Sequence, residues 1–318
     1  MTIEPNLSLI REAQELLASY FPPTRLVAAP SVSRANVSAY LKLETDLPTA
    51  SFKPRGAMFA LAVNLRNGPV KEVIASSTGN HGAAVAYAAK TLGVSATIFL
   101  PANPNPVKRK RIADLGARIV EAGGADLAHA FQLANEYSTR PSVYFLNDAT
   151  DPVLPAGPAT IGLEIVAQLP QTTAIYVPVG DTALIRGVAA AVRQTSPGVK
   201  IIGVQAERAP SYFLSWKAGR VIPTDTCDTC ADGLATRTPE EANVRAIRNL
   251  VDDVVLVSEE EMIGAIRVLY EREGIVAEPA GAAATAAFLK HPHSPGPVVL
   301  LVTGGNITDD IRKRTRIP

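Results

Sequence analysis

Two cysteines, Cys227 and Cys230, are all that the 318 residues contain. That is too few for the disulfide framework of a small secreted domain. Net charge is +1, which leaves no electrostatic footprint for nucleic acid or an anionic membrane. The longest apolar runs, TAIYVPVG and GPVVLLVTGG, fall well short of the ~20 residues that a spanning helix needs. They suit buried strands instead. The N-terminal MTIEPNLSLIREAQELL has an early acidic residue and no apolar signal core, so no export peptide is expected. Internal repeats, low-complexity tracts and long linkers are missing too. So are a G-x-G-x-x-G fingerprint and a Gly-Lys-Ser/Thr phosphate loop. These absences argue against a nucleic-acid binder and a membrane protein and disfavour a nucleotide-binding α/β enzyme, which stays an alternative; they suggest a soluble cytoplasmic protein.

What is there is a chain that is 47% hydrophobic, long enough for about two domains with a buried core. Strand-like runs recur at 38–43, 72–76, 95–100, 117–122, 143–146, 174–179, 200–206, 252–258 and 297–303. Between them lie segments with helical spacing of apolar residues, such as HGAAVAYAAKTLG, GPATIGLEIVAQL and EEEMIGAIRVLYEREG. This alternation predicts an α/β fold of mostly parallel sheets with helices on both faces. Ligands in such folds bind at the carboxyl ends of strands. A Pro/Gly-rich break covers 147–160, and 207–241 is irregular enough to be a long loop near a site.

Four strand ends carry unusual chemistry. In EVIASSTGNHGAA, Ser77, Thr78 and Asn80 sit between a strand and an Ala-rich helix, and Gly79 permits a tight turn. The N–H groups near His81 and Gly82 would face an anion. A helix cap needs one such side chain; a cluster of hydroxyls and an amide points to a ligand. In AIYVPVGDTALIRG, Gly180-Asp181-Thr182 leads from a strand to a helix. Alone it reads as an ordinary loop, with Asp181 facing out or capping the helix. VVLLVTGGN places Thr303 at a buried strand end, as a ligand partner or part of a plain Thr-Gly-Gly turn. Glu278 precedes a helix of small residues and reads as its cap.

Lys53 stands between Phe52 and Pro54 at a helix start, in ASFKPRGA. A lysine that reacts as a neutral amine needs its pKa lowered by burial, a helix N-terminus or a cationic neighbour. Arg55 is the candidate neighbour, or else an exposed first-turn residue.

Taken in order, SFKPRGA, SSTGNHG, VPVG, AEPAG and VTGGN run through almost the whole chain. Together they resemble the pyridoxal-phosphate enzymes of fold type II, the tryptophan synthase β-like fold. The resemblance is strongest to the threonine/serine dehydratases (ammonia-lyases) and serine racemases. TGNHG, rather than the SGNTG of the sulfhydrylases, points to the dehydratase branch. The resemblance implies pyridoxal 5'-phosphate as cofactor, with Lys53 forming its Schiff base. It implies Phe52 beside the cofactor ring, Asn80 on the ring hydroxyl, and Thr303 facing the pyridine nitrogen. The backbone of Gly180, Asp181, Thr182, Ala183 and Leu184 would hold the phosphate. Ser77, Thr78, Asn80 and His81 would receive the substrate carboxylate, with Thr78 a second catalytic residue able to pass a proton opposite Lys53. The implied reaction is β-elimination from a β-hydroxy amino acid, giving a 2-oxo acid and ammonia. Racemisation, β-replacement and binding without turnover are the alternatives. The implied architecture is a large cofactor-binding domain, 1–70 with 147–318, and a mobile small domain, 71–146, in a homodimer. The chain ends soon after VTGGN, so no C-terminal regulatory domain is expected.

Two departures bear on the site. The family's phosphate loop is a run of glycines, here Gly180-Asp181-Thr182-Ala183. The racemases' divalent-cation site starts at a glutamate, here Glu207, but Ser211 and Phe213 follow where an acidic ligand would be. Phenylalanine cannot ligate a hard cation, so no metal is expected. Cys227-x-x-Cys230 lacks the further ligands of a zinc site. VKRKR at 107–111 reads as a solvated helix face, and His129, His291 and His293 as structural or surface residues.

Overall fold

The computed structural model describes residues 4–317, apart from 35, 105, 124–126, 293 and 294. His293 therefore lies outside the described residues. Among the described residues there are ten strands: β1 (Leu26–Ala28), β2 (Ala39–Leu43), β3 (Glu72–Ser76), β4 (Ser95–Leu100), β5 (Arg118–Glu121), β6 (Val143–Phe145), β7 (Ala174–Pro178), β8 (Lys200–Ala206), β9 (Asp253–Val257) and β10 (Val298–Val302). The six-stranded sheet has the order β1-β2-β10-β7-β8-β9 and the four-stranded sheet β5-β4-β3-β6. All pairings are parallel except that of β1 with β2.

Burial explains the strands. β7 (AIYVP) and β10 (VVLLV) are buried at every position. A parallel strand covered on both faces has no solvent side on which to place polar residues. Helices pack on the sheets through small side chains. The Asn80–Leu92 helix presents five alanines to the core under β3 and β4, and the Pro279–Lys290 helix presents six under β7 and β10. The Glu259–Glu273 helix starts on a reciprocal capping box, with Ser258 Oγ accepting from Glu261 N (3.2 Å) and Glu261 Oε2 accepting from Ser258 N (2.8 Å).

The nine expected strands are all present, most of them a residue or two shorter. β1 is the addition. The 207–241 stretch holds a short helix, Ser211–Ala218, and one 3-10 turn, Asp232–Leu234. The VKRKR run lies on the Pro106–Asp114 helix and is less solvated than expected. Lys108 pairs with Asp232, Arg109 with Glu121 (2.7 Å), and half-buried Arg111 donates to the Thr49 carbonyl. Cys227 and Cys230 are free thiols, half-buried. Burial and the neighbouring Glu259 push the Cys230 thiol up to about 12.

Candidate active site

The cleft side chains come from the carboxyl ends of β3, β6, β7 and β10. Lys53 opens the Lys53–Asn67 helix. That helix start is pinned to the end of β10, because Phe52 N donates to the Thr303 carbonyl (3.0 Å) and Ser51 bridges to Gly304. The Lys53 ammonium lies 5.3 Å from the centroid of the Phe52 ring.

Lys53 Nζ donates to Asp148 Oδ2 at 2.5 Å. The same oxygen is 3.7 Å from His81 Nδ1, while buried His81 Nε2 sits 2.8 Å from the Leu146 carbonyl. A carbonyl only accepts, so Nε2 carries the hydrogen and Nδ1 turns to Asp148. Burial holds the His81 pKa below its ordinary value. Burial also pulls on the Lys53 amine, but the Asp148 carboxylate outweighs it and the net shift is upward. Asp148, opposed by burial, is held well below the usual carboxylate range by His81 and Lys53. The expected lowering of the lysine pKa is therefore corrected, and so is its expected agent. Arg55 is buried on another side of the helix, between Glu44 (2.8 Å) and Glu164 (2.6 Å). Residues i and i+2 on a helix do not face each other.

A second cluster lies close enough for Glu278 to act on the Lys53 amine. Asn80 Nδ2 donates to Glu278 Oε1 (2.7 Å), and Asn80 Oδ1 accepts from Asn306 Nδ2 (2.7 Å). Glu278 Oε2 accepts from Asn306 N (3.2 Å). Glu278 makes no capping hydrogen bond to its own helix, which corrects the expectation that it is a cap. Burial pushes its carboxyl up to about 7. Gly304 permits this approach, since a Cβ there would lie 2.4 Å from Glu278 Oε1.

Two helices present their N-termini here without a side-chain cap: Asn80–Leu92, behind Gly79, and Ala183–Thr195, behind Thr182. Ser77 Oγ accepts from Gly79 N (3.2 Å) and shapes the first turn, in which Thr78 is half-buried. In the second turn, Gly180 packs so closely that a Cβ would lie 2.1 Å from the Gly233 carbonyl. Asp181 does not face out. Its Oδ1 accepts from Thr236 Oγ1 (3.0 Å), and burial followed by the charge of Asp148 pushes it up to about 6. Thr182 has φ 67°, and Ala183 and Leu184 begin the helix, buried. Thr303 is buried, and its hydroxyl makes one long contact, 3.5 Å to the Ala280 carbonyl. Glu207 is paired with Lys290 (3.3 Å).

The donor set fits a phosphorylated aldehyde. The Lys53 side chain, 20% exposed, offers an amine for the aldehyde. An aromatic face lies beside it, uncapped helix N-termini offer N–H groups to anions, and the Thr303 hydroxyl closes the strand end. Sequence reasoning misses Asp148, Glu278 and Asn306 as members of the site. Asp148 and Asn306 do lie in the polar segments that follow β6 and β10.

Comparison with known proteins defines the class. Residues 18–304 match the family model for pyridoxal-phosphate dependent enzymes, and the chain belongs to that family. It is 37% identical to the L-threonine ammonia-lyase of Geobacter sulfurreducens over 303 residues, covering 94% of this chain and 75% of that protein. Among solved structures it superposes on maize serine racemase with a TM-score of 0.92 at 27% identity, over 98% of this chain and 97% of that one. It superposes on the processed form of threonine deaminase isoform 2 from Solanum lycopersicum with a TM-score of 0.89 at 29% identity, over 99% of this chain and 95% of that one.

Proposed function

We propose that the chain is an ammonia-lyase that converts a β-hydroxy amino acid of the threonine/serine type into a 2-oxo acid and ammonia. The observation that carries this is the Lys53 amine held by Asp148 at the cleft, in a chain 37% identical to a named threonine ammonia-lyase. Pyridoxal 5'-phosphate, when bound, supplies an electron sink for the pair left behind when the α C–H bond breaks. Lys53 would hold it covalently, with Phe52 beside the ring, Asn80 at the ring hydroxyl, Thr303 at the ring nitrogen and Gly180–Leu184 at the phosphate.

Lys53 would serve as the base that takes the α-proton at Nζ. Asp148 makes that nitrogen a stronger proton acceptor and pairs with the ammonium as it forms. His81, fixed by the Leu146 carbonyl, packs beside the carboxylate. Ser77, Thr78, Asn80 and His81 surround the uncapped helix N-terminus that takes the substrate carboxylate. The Thr303 hydroxyl does not protonate the ring nitrogen as a carboxylic acid would. That would favour loss of the β-hydroxyl.

The likeness to maize serine racemase favours racemisation as a second activity, with Thr78 as the opposing proton donor. We further propose two domains, 71–146 against 1–70 with 147–318, that close over the substrate in a cytoplasmic homodimer. The separate four-stranded sheet supports the division. The test is release of 2-oxo acid and ammonia from L-threonine and L-serine by the holoenzyme, with chiral analysis of the residual substrate. Retention of both substrates unchanged would reject the lyase.

A further inference from the structure

Arg186 lies in the first turns of the Ala183–Thr195 helix and is 2% exposed. Its Nε donates to Thr182 Oγ1 (3.1 Å) and its Nη2 to the Ala149 carbonyl (3.3 Å). Among the described residues no carboxylate pairs with it. Of the carboxylates that influence it, Glu4 makes no ion pair with it, Asp181 is bonded to Thr236, and Asp151 to Tyr144 and to the N–H groups of Val153 and Leu154. A buried cation without a counter-ion is costly. Arg55, buried to the same extent, has two carboxylates. The fold keeps Arg186 beside an uncapped helix N-terminus, so an anion is missing from its surroundings.

Thr182 adds an independent observation. A φ of 67° is left-handed, a region that disfavours a β-branched residue. The bond from Arg186 tethers the Thr182 hydroxyl and stabilises that conformation. Asp181 brings a negative charge into the same turn, which makes a compensating cation more necessary.

We propose that Arg186 is a positioning residue for the cofactor phosphate, supplying the positive charge that offsets it at Gly180–Leu184 and holding the turn through Thr182. This rests on membership of the pyridoxal-phosphate family. The anion is a phosphate monoester dianion, whose second pKa is about 6 in water.

The test is 31P NMR of the holoenzyme between pH 6 and 9, together with cofactor retention on dilution. In the wild type the phosphate signal stays that of the dianion throughout. In Arg186→Met the signal titrates within this range, and retention of pyridoxal 5'-phosphate falls about 10-fold or more. Retention of pyridoxal, which lacks the phosphate, changes less than about 3-fold. Arg186→Lys restores the flat profile, and it serves alone if the Met variant does not fold. Thr182→Gly/Arg186→Met separates charge from tether, because glycine accepts the left-handed turn unaided. It is expected to titrate like Arg186→Met. A flat profile in either Met-containing variant would overturn the proposal, as would equal losses of pyridoxal 5'-phosphate and pyridoxal or a titrating Lys variant. A wild type that takes up no pyridoxal 5'-phosphate would instead reject the cofactor reading itself.

Discussion

Lys53 and Arg55 stand two residues apart on one helix and live in opposite electrostatic settings. Arg55 is sealed in. Its guanidinium reaches Glu44 and Glu164, Lys42 donates to Glu164 (2.6 Å), and Thr24 and Thr160 fill the remaining positions. Two cations meet two carboxylates, none more than 9% exposed. Glu44 and Glu164 more than offset the effect of burial and raise the Arg55 pKa further. Lys53 has one partner at hydrogen-bond distance, and its amine and Asp148 are each about a fifth exposed. The first cluster is closed and charge-balanced, which suits structure. The second is open at the cleft and can exchange partners, which suits chemistry.

The sharpest way to break this contrast is to remove each cation in turn. Lys53→Ala is expected to lose β-elimination by about 10⁴-fold or more, as for other essential covalent or acid–base groups. It should also lose the visible band of the lysine-bound cofactor. Arg55→Met leaves two buried carboxylates short of a partner and is expected to lose about 3–5 kcal/mol of stability, measured by denaturant unfolding. The folded fraction should keep its kcat/KM within about 3-fold. A stable but inactive Arg55→Met protein would show that the two clusters are one unit.

These clusters also show what is legible in the sequence. The hydroxyl, glycine and amide residues at the ends of β3, β7 and β10 stand out because each follows a continuous apolar run. The buried parallel strands are legible for the same reason. β1 is not, since Leu26–Ala28 is three residues long, unburied on most of its length and joined only at a sheet edge. Asp148 is hidden differently. It lies in a polar, Pro-rich stretch where an acidic residue is unremarkable, and its partner is 95 positions away. Adjacency in the chain makes Arg55 look like the neighbour of Lys53, but two residues turn a helix through roughly 200°.

Asp148 gives a smaller, finer test. With its charge removed in Asp148→Asn, the Lys53 pKa falls, because burial is then less opposed. The neutral amine then becomes available at lower pH. The pH profile for cofactor uptake, followed by absorbance, should move to lower pH, while kcat falls about 10- to 100-fold as Lys53 becomes a weaker base. An unmoved profile would mean that Asp148 does not govern the amine.

The smallest effect separates Glu278 from both clusters. Its carboxyl is pushed up to about 7 in the fold, whereas a free glutamate titrates near about 4.3. Between those values the folded chain holds a proton that the unfolded chain has released. Stability therefore falls as pH rises through this window, by at most about 1.4 kcal/mol per pH unit. Asp148 has the opposite sign, because its lowered pKa adds stability above the usual carboxylate range that is lost on acidification. Comparing denaturant unfolding of Glu278→Gln and wild type from about pH 4.5 to 7 isolates the glutamate, since the other groups titrate alike in both. The difference between the two proteins should move in the variant's favour as pH rises. A constant difference would mean that Glu278 is ionised throughout and that the Asn80–Glu278–Asn306 bridge carries a full negative charge beside the cofactor.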